Sequence, residues 1–217
     1  MSAPSPGDAL IDQLLATVDR SPGRFLLGIA GPPGAGKSTL ASAVESAANA
    51  RHGPGFAVVA PMDGFHLSNE ELETLGLRRV KGAPETFDVG GLVDVLRRVR
   101  EERATTVLWP GFDRTREETV PGAIAILPET RLVVIEGNYL LLDRPGWRDV
   151  RPLLDEAWYV DATAEALRAR LLARALAGDR SEAEAVWHVD QSDLQNAKLV
   201  AGTKAAADQV WPTAVTE

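Results

Sequence analysis

Apolar residues along the chain follow two rhythms. Short unbroken runs occur at Phe25-Leu26-Leu27-Gly28-Ile29-Ala30, at 56–60, at Leu132-Val133-Val134-Ile135 and at Trp158-Tyr159-Val160. Their length and continuity predict buried strands. Between them, apolar positions recur every three or four residues. Leu10, Ile11, Leu14, Leu15 and Val18 predict an amphipathic helix over 8–19. An Ala-, Leu- and Val-rich stretch predicts another over 39–50. Leu92, Val93, Leu96 and Val99 form the inner face of a third over 89–103, with Asp88 as its cap. Residues 164–177 read as a fourth. Ser68 with Glu71, and Ser181 with Glu184, have capping-box spacing. They predict a short helix near 68 and a late one from 181, running with a break to about 200. Residues 106–109 read as a short strand, and 76–86 as a polar, basic loop.

Alternating β and α segments imply an α/β protein, with a parallel sheet between helical layers. The length of 217 residues suits one domain. We assign it to 8–217 behind a frayed tail at 1–7. A small helical lid is expected at about 170–190, hinged at 178–181. In such sheets ligands sit beyond the carboxyl ends of the strands.

The absence of cysteine excludes disulfides, thiol nucleophiles and cysteine-based metal sites. No apolar run is long enough to span a bilayer, and the Ser/Pro/Gly-rich start is not a secretory signal. A cytoplasmic location is therefore expected. The net charge of -8 argues against nucleic acid or an anionic membrane as partner. A small-molecule partner is expected, and a homodimer is left open. An acidic chain that binds a nucleotide must gather positive charge locally, so the basic residues near the motif below are informative.

Gly31-Pro32-Pro33-Gly34-Ala35-Gly36-Lys37-Ser38-Thr39 matches G-x-x-x-x-G-K-[ST] at every fixed position. The glycines let backbone N–H groups turn inward to cradle phosphates, Lys37 reaches the β/γ-phosphates, and the Ser38 hydroxyl can ligate Mg²⁺. A predicted strand before it and a helix after it distinguish the run from a mere glycine-rich turn. Asp63 and Glu136 each follow a predicted strand, and so point to the same rim. Asp63 can take a proton from an attacking hydroxyl or serve as a turn cap. Glu136 holds the position of an acid that acts on Mg²⁺, directly or through water. Arg170 and Arg174, four residues apart, share one helical face and can clamp a transferring phosphoryl group or simply lie in solvent. Arg78, Arg79 and Lys81 carry positive charge in the loop after Asp63. His66 is a weaker acid–base candidate. Trp187 is the tryptophan placed nearest an adenine.

Several segments carry a family resemblance in matching order. They are the phosphate loop, Pro61-Met62-Asp63-Gly64-Phe65-His66-Leu67, Lys81-Gly82-Ala83-Pro84-Glu85-Thr86-Phe87-Asp88, Pro110-Gly111-Phe112-Asp113-Arg114, Glu136-Gly137-Asn138-Tyr139-Leu140-Leu141 and Asp193-Leu194-Gln195-Asn196-Ala197. Over roughly 28–211 the chain resembles the phosphoribulokinase/uridine kinase/bacterial pantothenate kinase family of P-loop small-molecule kinases, nearest its uridine kinase-like or fructokinase-like subgroup. The resemblance implies a P-loop fold, ATP as co-substrate and Mg²⁺. It implies Asp63 as general base, Glu136 as second acid, and Arg170 and Arg174 as lid arginines. It assigns His66, Arg79, Lys81, Phe87, Phe112, Asp113, Arg114 and Tyr139 to the acceptor, and Asn196 to the nucleotide. Uridine kinases carry a histidine after the third strand that this chain lacks at 111–116. No marked apolar cluster is visible in the acceptor segments. The first point counts against uridine and the second against pantothenate, and the Asp and Arg content of these segments suits a sugar-like, hydroxyl-rich acceptor. A regulatory P-loop switch is the reading from another class. The chain lacks a guanine-reading Asn/Thr-Lys-x-Asp run, because Thr203-Lys204 is followed by Asp only at 208.

Overall fold

The computed structural model of the protein describes residues 5–178 and 181–211. The expected tail at 1–4 and part of the expected hinge, 179–180, lie outside them. Helix α1 (Pro6–Arg20) starts earlier than the pattern suggested. Ser5 caps it, accepting from the Asp8 N–H, and Pro6 fills its first position. Residues 6 and 7 therefore belong to the helix, with Ser5 as its cap, and not to a tail.

Strand β1 (Phe25–Ala30) leads through the glycine loop into α2 (Lys37–His52). Strand β2 (Ala57–Pro61) runs into a single 3₁₀ turn, Met62–Phe65, then α3 (Asn69–Thr74). The basic loop forms two 3₁₀ turns before α4 (Val89–Glu101). A hairpin follows, β3 (Val107–Asp113) and β4 (Glu118–Ile126). After it come β5 (Leu132–Gly137), β6 (Glu156–Val160), α5 (Ala164–Ala177) and α6 (Glu182–His188). A π turn at Val189–Asp193 joins α6 to α7 (Leu194–Ala201), and β7 (Gln209–Trp211) ends the described chain.

Five strands form a parallel sheet in the order β2-β5-β1-β6-β7. β1 and β5 are buried at every position, as expected of strands covered on both faces. Alternation within them feeds two cores. Leu26, Val133 and Ile135 pack with Leu92, Leu96 and Val99 of α4 and with Trp109. Leu27, Ile29 and Val134 face Leu14, Leu15 and Val18 of α1, Val44 of α2 and Leu167 of α5. The result is the three-layer α/β/α P-loop fold. At the lower edge, buried Arg24 donates to the carbonyls of Thr130, Val99, Glu102 and Leu127, tying β1 to α4 and to the approach to β5.

Two features depart from the sequence expectation. The short strand expected at 106–109 is longer and stands outside the main sheet, paired antiparallel with β4. Each partner contains a Pro-Gly pair, Pro110-Gly111 and Pro121-Gly122, which obscures the strand signal. Proline is tolerated because a two-stranded ribbon consists of edges, and the register shifts between Trp109 and Gly111. The break expected in the late helix is the π turn, which keeps the helical path continuous.

Candidate active site

The carboxyl ends of β1, β2 and β5 open into one cavity of about 1170 Å³. The phosphate loop forms one wall. Gly36 sits at φ 103°, in the left-handed region, as the N-cap of α2, where a side chain would be strained. Pro33, Gly34, Ala35, Gly36, Lys37, Ser38 and Thr39 line the cavity, and Gly31 lies beneath them against Val160. Lys37 is buried. Its Nζ donates to the Pro32 carbonyl at 3.1 Å and to Asn138 Oδ1 at 2.7 Å. Burial pulls the Lys37 ammonium below its ordinary range, and the nearby charges of Glu136 and Asp63 oppose that shift.

Glu136 is the penultimate residue of β5, and its Oε1 accepts from Ser38 Oγ at 2.9 Å. Burial pushes its carboxyl above the usual range, against the pull of Lys37. A hydroxyl and a carboxylate this close form a hard-oxygen donor pair. That suits Mg²⁺, which takes few protein oxygens and completes its shell with phosphate and water. The cation would also relieve the buried carboxylate.

Asp63 lies opposite, in the 3₁₀ turn that ends β2, and its Oδ2 accepts from Arg114 at 2.9 Å. Its charge acts on both Lys37 and Glu136. Gly64 beside it packs against the Pro110 backbone so closely that a Cβ would overlap the carbonyl. Glycine there lets the hairpin dock onto the Asp63 turn.

Aromatic rings form the rest of this wall. His66 stacks on Phe87 at 4.0 Å and leans on Phe112 at 5.0 Å, and all three line the cavity. Behind them Phe87, Tyr139 and Trp147 meet edge to face. An apolar cluster unseen in the sequence thus exists, because its members come from four separate segments. Burial lowers the His66 pKa to about 4, with Asp63 opposing the shift and Lys81 adding to it. His66 is therefore neutral near pH 7.

Arg170 and Arg174 line the cavity from α5. Arg170 donates to the Gly34 carbonyl at 3.2 Å, and Arg174 lies 4.0 Å from Asp193. Arg79 also lines the cavity.

Other expected site residues are engaged in structural bonds. Lys81 lines the cavity, and its Nζ donates to Asn69 Oδ1 and the Glu117 carbonyl, so it latches the basic loop to the hairpin tip. Asp113 accepts from the N–H groups of Thr115 and Arg116, which makes it a turn residue whose carboxyl those bonds hold below the usual range. Tyr139 is fully buried, and its hydroxyl donates to the Gly82 carbonyl at 2.6 Å, away from the cavity surface. Asn196 lines the cavity, but its amide reaches toward the same Gly82 carbonyl at 3.4 Å. Trp187 is exposed on a separate shallow depression with Glu182 and Asp190. It stands outside the cavity, whereas Trp211 lines it. Sequence reasoning missed Asn138, the partner of Lys37, and Glu117. Asn138 follows the Glu136-Gly137 pair directly, and that position was its available signal.

A phosphate loop, a paired hydroxyl and carboxylate, and a second carboxylate across one cavity define a P-loop phosphotransferase class. The chain belongs to the phosphoribulokinase/uridine kinase family, whose model matches residues 26–208, a family of ATP-dependent P-loop kinases. It is 36% identical over 183 residues to C227.14 of Schizosaccharomyces pombe, provisionally named a uridine kinase, covering 82% of this chain and 78% of that one. It is 40% identical over 166 residues to the uncharacterized YggC of Escherichia coli, covering 76% and 68%. The crystal structure of a provisionally named fructose transport system kinase from Silicibacter sp. TM1040 superimposes with a TM-score of 0.88 at 40% identity, covering 96% of this chain and all of that one.

Proposed function

We propose that this protein transfers the γ-phosphoryl group of ATP to a hydroxyl of a small sugar-like or nucleoside acceptor. The observation that carries this reading is the cavity itself, with the phosphate loop on one wall and Asp63 on the other. Asp63 accepts the hydroxyl proton through the carboxylate oxygen not engaged by Arg114. The acceptor oxygen bonds to phosphorus as the bridging oxygen departs with ADP. Lys37, Arg170 and Arg174 stabilise the charge that spreads over the phosphoryl oxygens. Ser38 and Glu136 would hold Mg²⁺, which supplies neutralising charge to the phosphates when bound. Arg79, Arg114, His66, Phe87 and Phe112 orient the acceptor. Lys81 and Asp113 shape the walls.

The aromatic wall also favours a second reading, a pantothenate-like acceptor with apolar methyl groups. A pantothenate kinase of Leifsonia xyli subsp. xyli is 32% identical over 140 residues, 64% of this chain and 43% of that one. Both readings are tested by incubating protein and MgATP with nucleosides, ketoses, aldoses, polyols and pantothenate, and reading the mass of each acceptor. Transfer to a sugar or nucleoside supports the first reading, and transfer to pantothenate alone supports the second. Slow ATP turnover indifferent to every acceptor would instead favour a regulatory NTPase.

A further inference from the structure

The carbonyl of Gly82 receives donors from two elements that otherwise belong to different halves of the site. Tyr139 reaches it from the turn after β5 at 2.6 Å, and Asn196 reaches it from α7 at 3.4 Å. Gly82 lies in the acceptor loop, between Lys81 and the segment closed by Thr86. The buried Thr86 hydroxyl accepts from the Gly82 N–H and donates to the Ala83 carbonyl. Tyr139 is held by its ring contacts with Phe87 and Trp147. Burial also raises its phenol pKa, so it remains a donor at any ordinary pH. The residue before it, Asn138, accepts from the phosphate-loop Lys37. Asn196 continues the helical run from the π turn that carries Asp193, the partner of Arg174.

Three parts therefore meet at one backbone oxygen: the acceptor loop, the turn that touches Lys37, and the helical segment that follows the arginines of α5. We infer that Tyr139 and Asn196 are positioning residues that couple nucleotide binding to ordering of the acceptor loop through the Gly82 carbonyl. The inference rests on the kinase reading above. Nucleotide phosphates recruit Lys37 and the α5 arginines, which steadies the turn after β5 and the segment before α7. Both donors to Gly82 are then held in place, and the acceptor loop loses freedom before the acceptor arrives. An acceptor that meets a loop already ordered pays less conformational entropy, so each substrate tightens binding of the other. Tyr139 supplies the short, buried bond, and Asn196 the longer one, open to adjustment.

Hydrogen exchange with a saturating non-hydrolysable ATP analogue and Mg²⁺ tests this without knowledge of the acceptor. In the wild-type chain, exchange across 78–88 is expected to slow by about fivefold, the lower end of ordinary coupling. Protection at 31–39 should appear in parallel. Asn196→Leu has nearly the same shape, cannot donate and adds no charge to the cavity, and Tyr139→Phe removes only the hydroxyl. Either variant should keep the protection at 31–39 and lose most of that at 78–88. Once an acceptor is known, the same variants should raise its KM at saturating nucleotide more than they lower kcat. Equal protection of 78–88 in wild type and both variants would overturn the coupling, as would no protection there in the wild type. Absence of protection at 31–39 in the wild type would remove the nucleotide site, and the coupling with it. If Tyr139→Phe does not fold, Asn196→Leu decides alone.

Discussion

Arg114 donates to Asp63 across 2.9 Å, so the β3–β4 turn and the end of β2 share an ion pair at the acceptor wall. Only one oxygen of the carboxylate is engaged by Arg114, and the proposed reaction uses the other for the substrate hydroxyl. Asp63→Asn keeps the shape and removes the basicity. Transfer should fall by about 10²–10⁴-fold, the usual worth of a positioned base, while binding of an ATP analogue stays near wild type. Near-normal turnover by this variant would remove Asp63 from the role.

Ser38 and Glu136 make the second prediction. Glu136→Gln should raise the Mg²⁺ concentration needed for half-maximal transfer by about tenfold or more, since it replaces a charged oxygen donor with a neutral amide. The same change should raise the melting temperature of the nucleotide-free protein. Because burial raises the folded-state pKa of this carboxyl, the wild-type fold increasingly pays to keep it charged as pH rises from the ordinary carboxylate range toward the raised value. Melting curves of both proteins across that window, without nucleotide, check the sign: the gap in favour of Gln should widen with pH and then level off.

His66 titrates in the opposite direction. Its folded value is about 4, below the roughly 6.5 of an unfolded histidine. Between these values the unfolded chain binds a proton that the folded chain refuses, so stability falls as pH drops through the window. The slope contributed is at most about 1.4 kcal/mol per pH unit. Denaturant titrations from pH 7 to 4 should show a shallower loss in His66→Gln than in wild type. An identical pH dependence would mean that His66 protonates in the folded protein.

Arg24 governs stability far from the chemistry. Its guanidinium satisfies four carbonyls from α4 and from the segment before β5. Arg24→Met fills much of the volume but leaves those carbonyls without a charged donor, at a cost of about 3 kcal/mol. For a chain of this size that lowers the melting temperature by roughly 6–12 °C. The KM for ATP measured well below the transition should be unchanged.

The donor half of the site was legible in one dimension because its parts are contiguous. The residues that cradle phosphate follow one another from Gly31 to Thr39, and burial on both faces makes β1 and β5 continuous apolar runs. Asp63 and Glu136 could be placed at one rim because parallel strands carry their carboxyl ends to the same side. Helix caps at Ser68, Asp88 and Ser181 are local hydrogen-bond choices, so they too could be read locally. The hairpin was obscured by Pro110 and Pro121, whose cost depends on whether a strand is an edge, a fact outside the strand itself. The aromatic wall of His66, Phe87 and Phe112 is assembled from residues up to 46 positions apart, and no window along the chain contains it. For the same reason the bonds of Lys81 to Asn69 and Glu117, and of Tyr139 and Asn196 to Gly82, were invisible along the chain, although Lys81 and Asn196 also line the cavity. A side chain's type states what it can bond, and its partner is chosen by which groups folding leaves buried within reach.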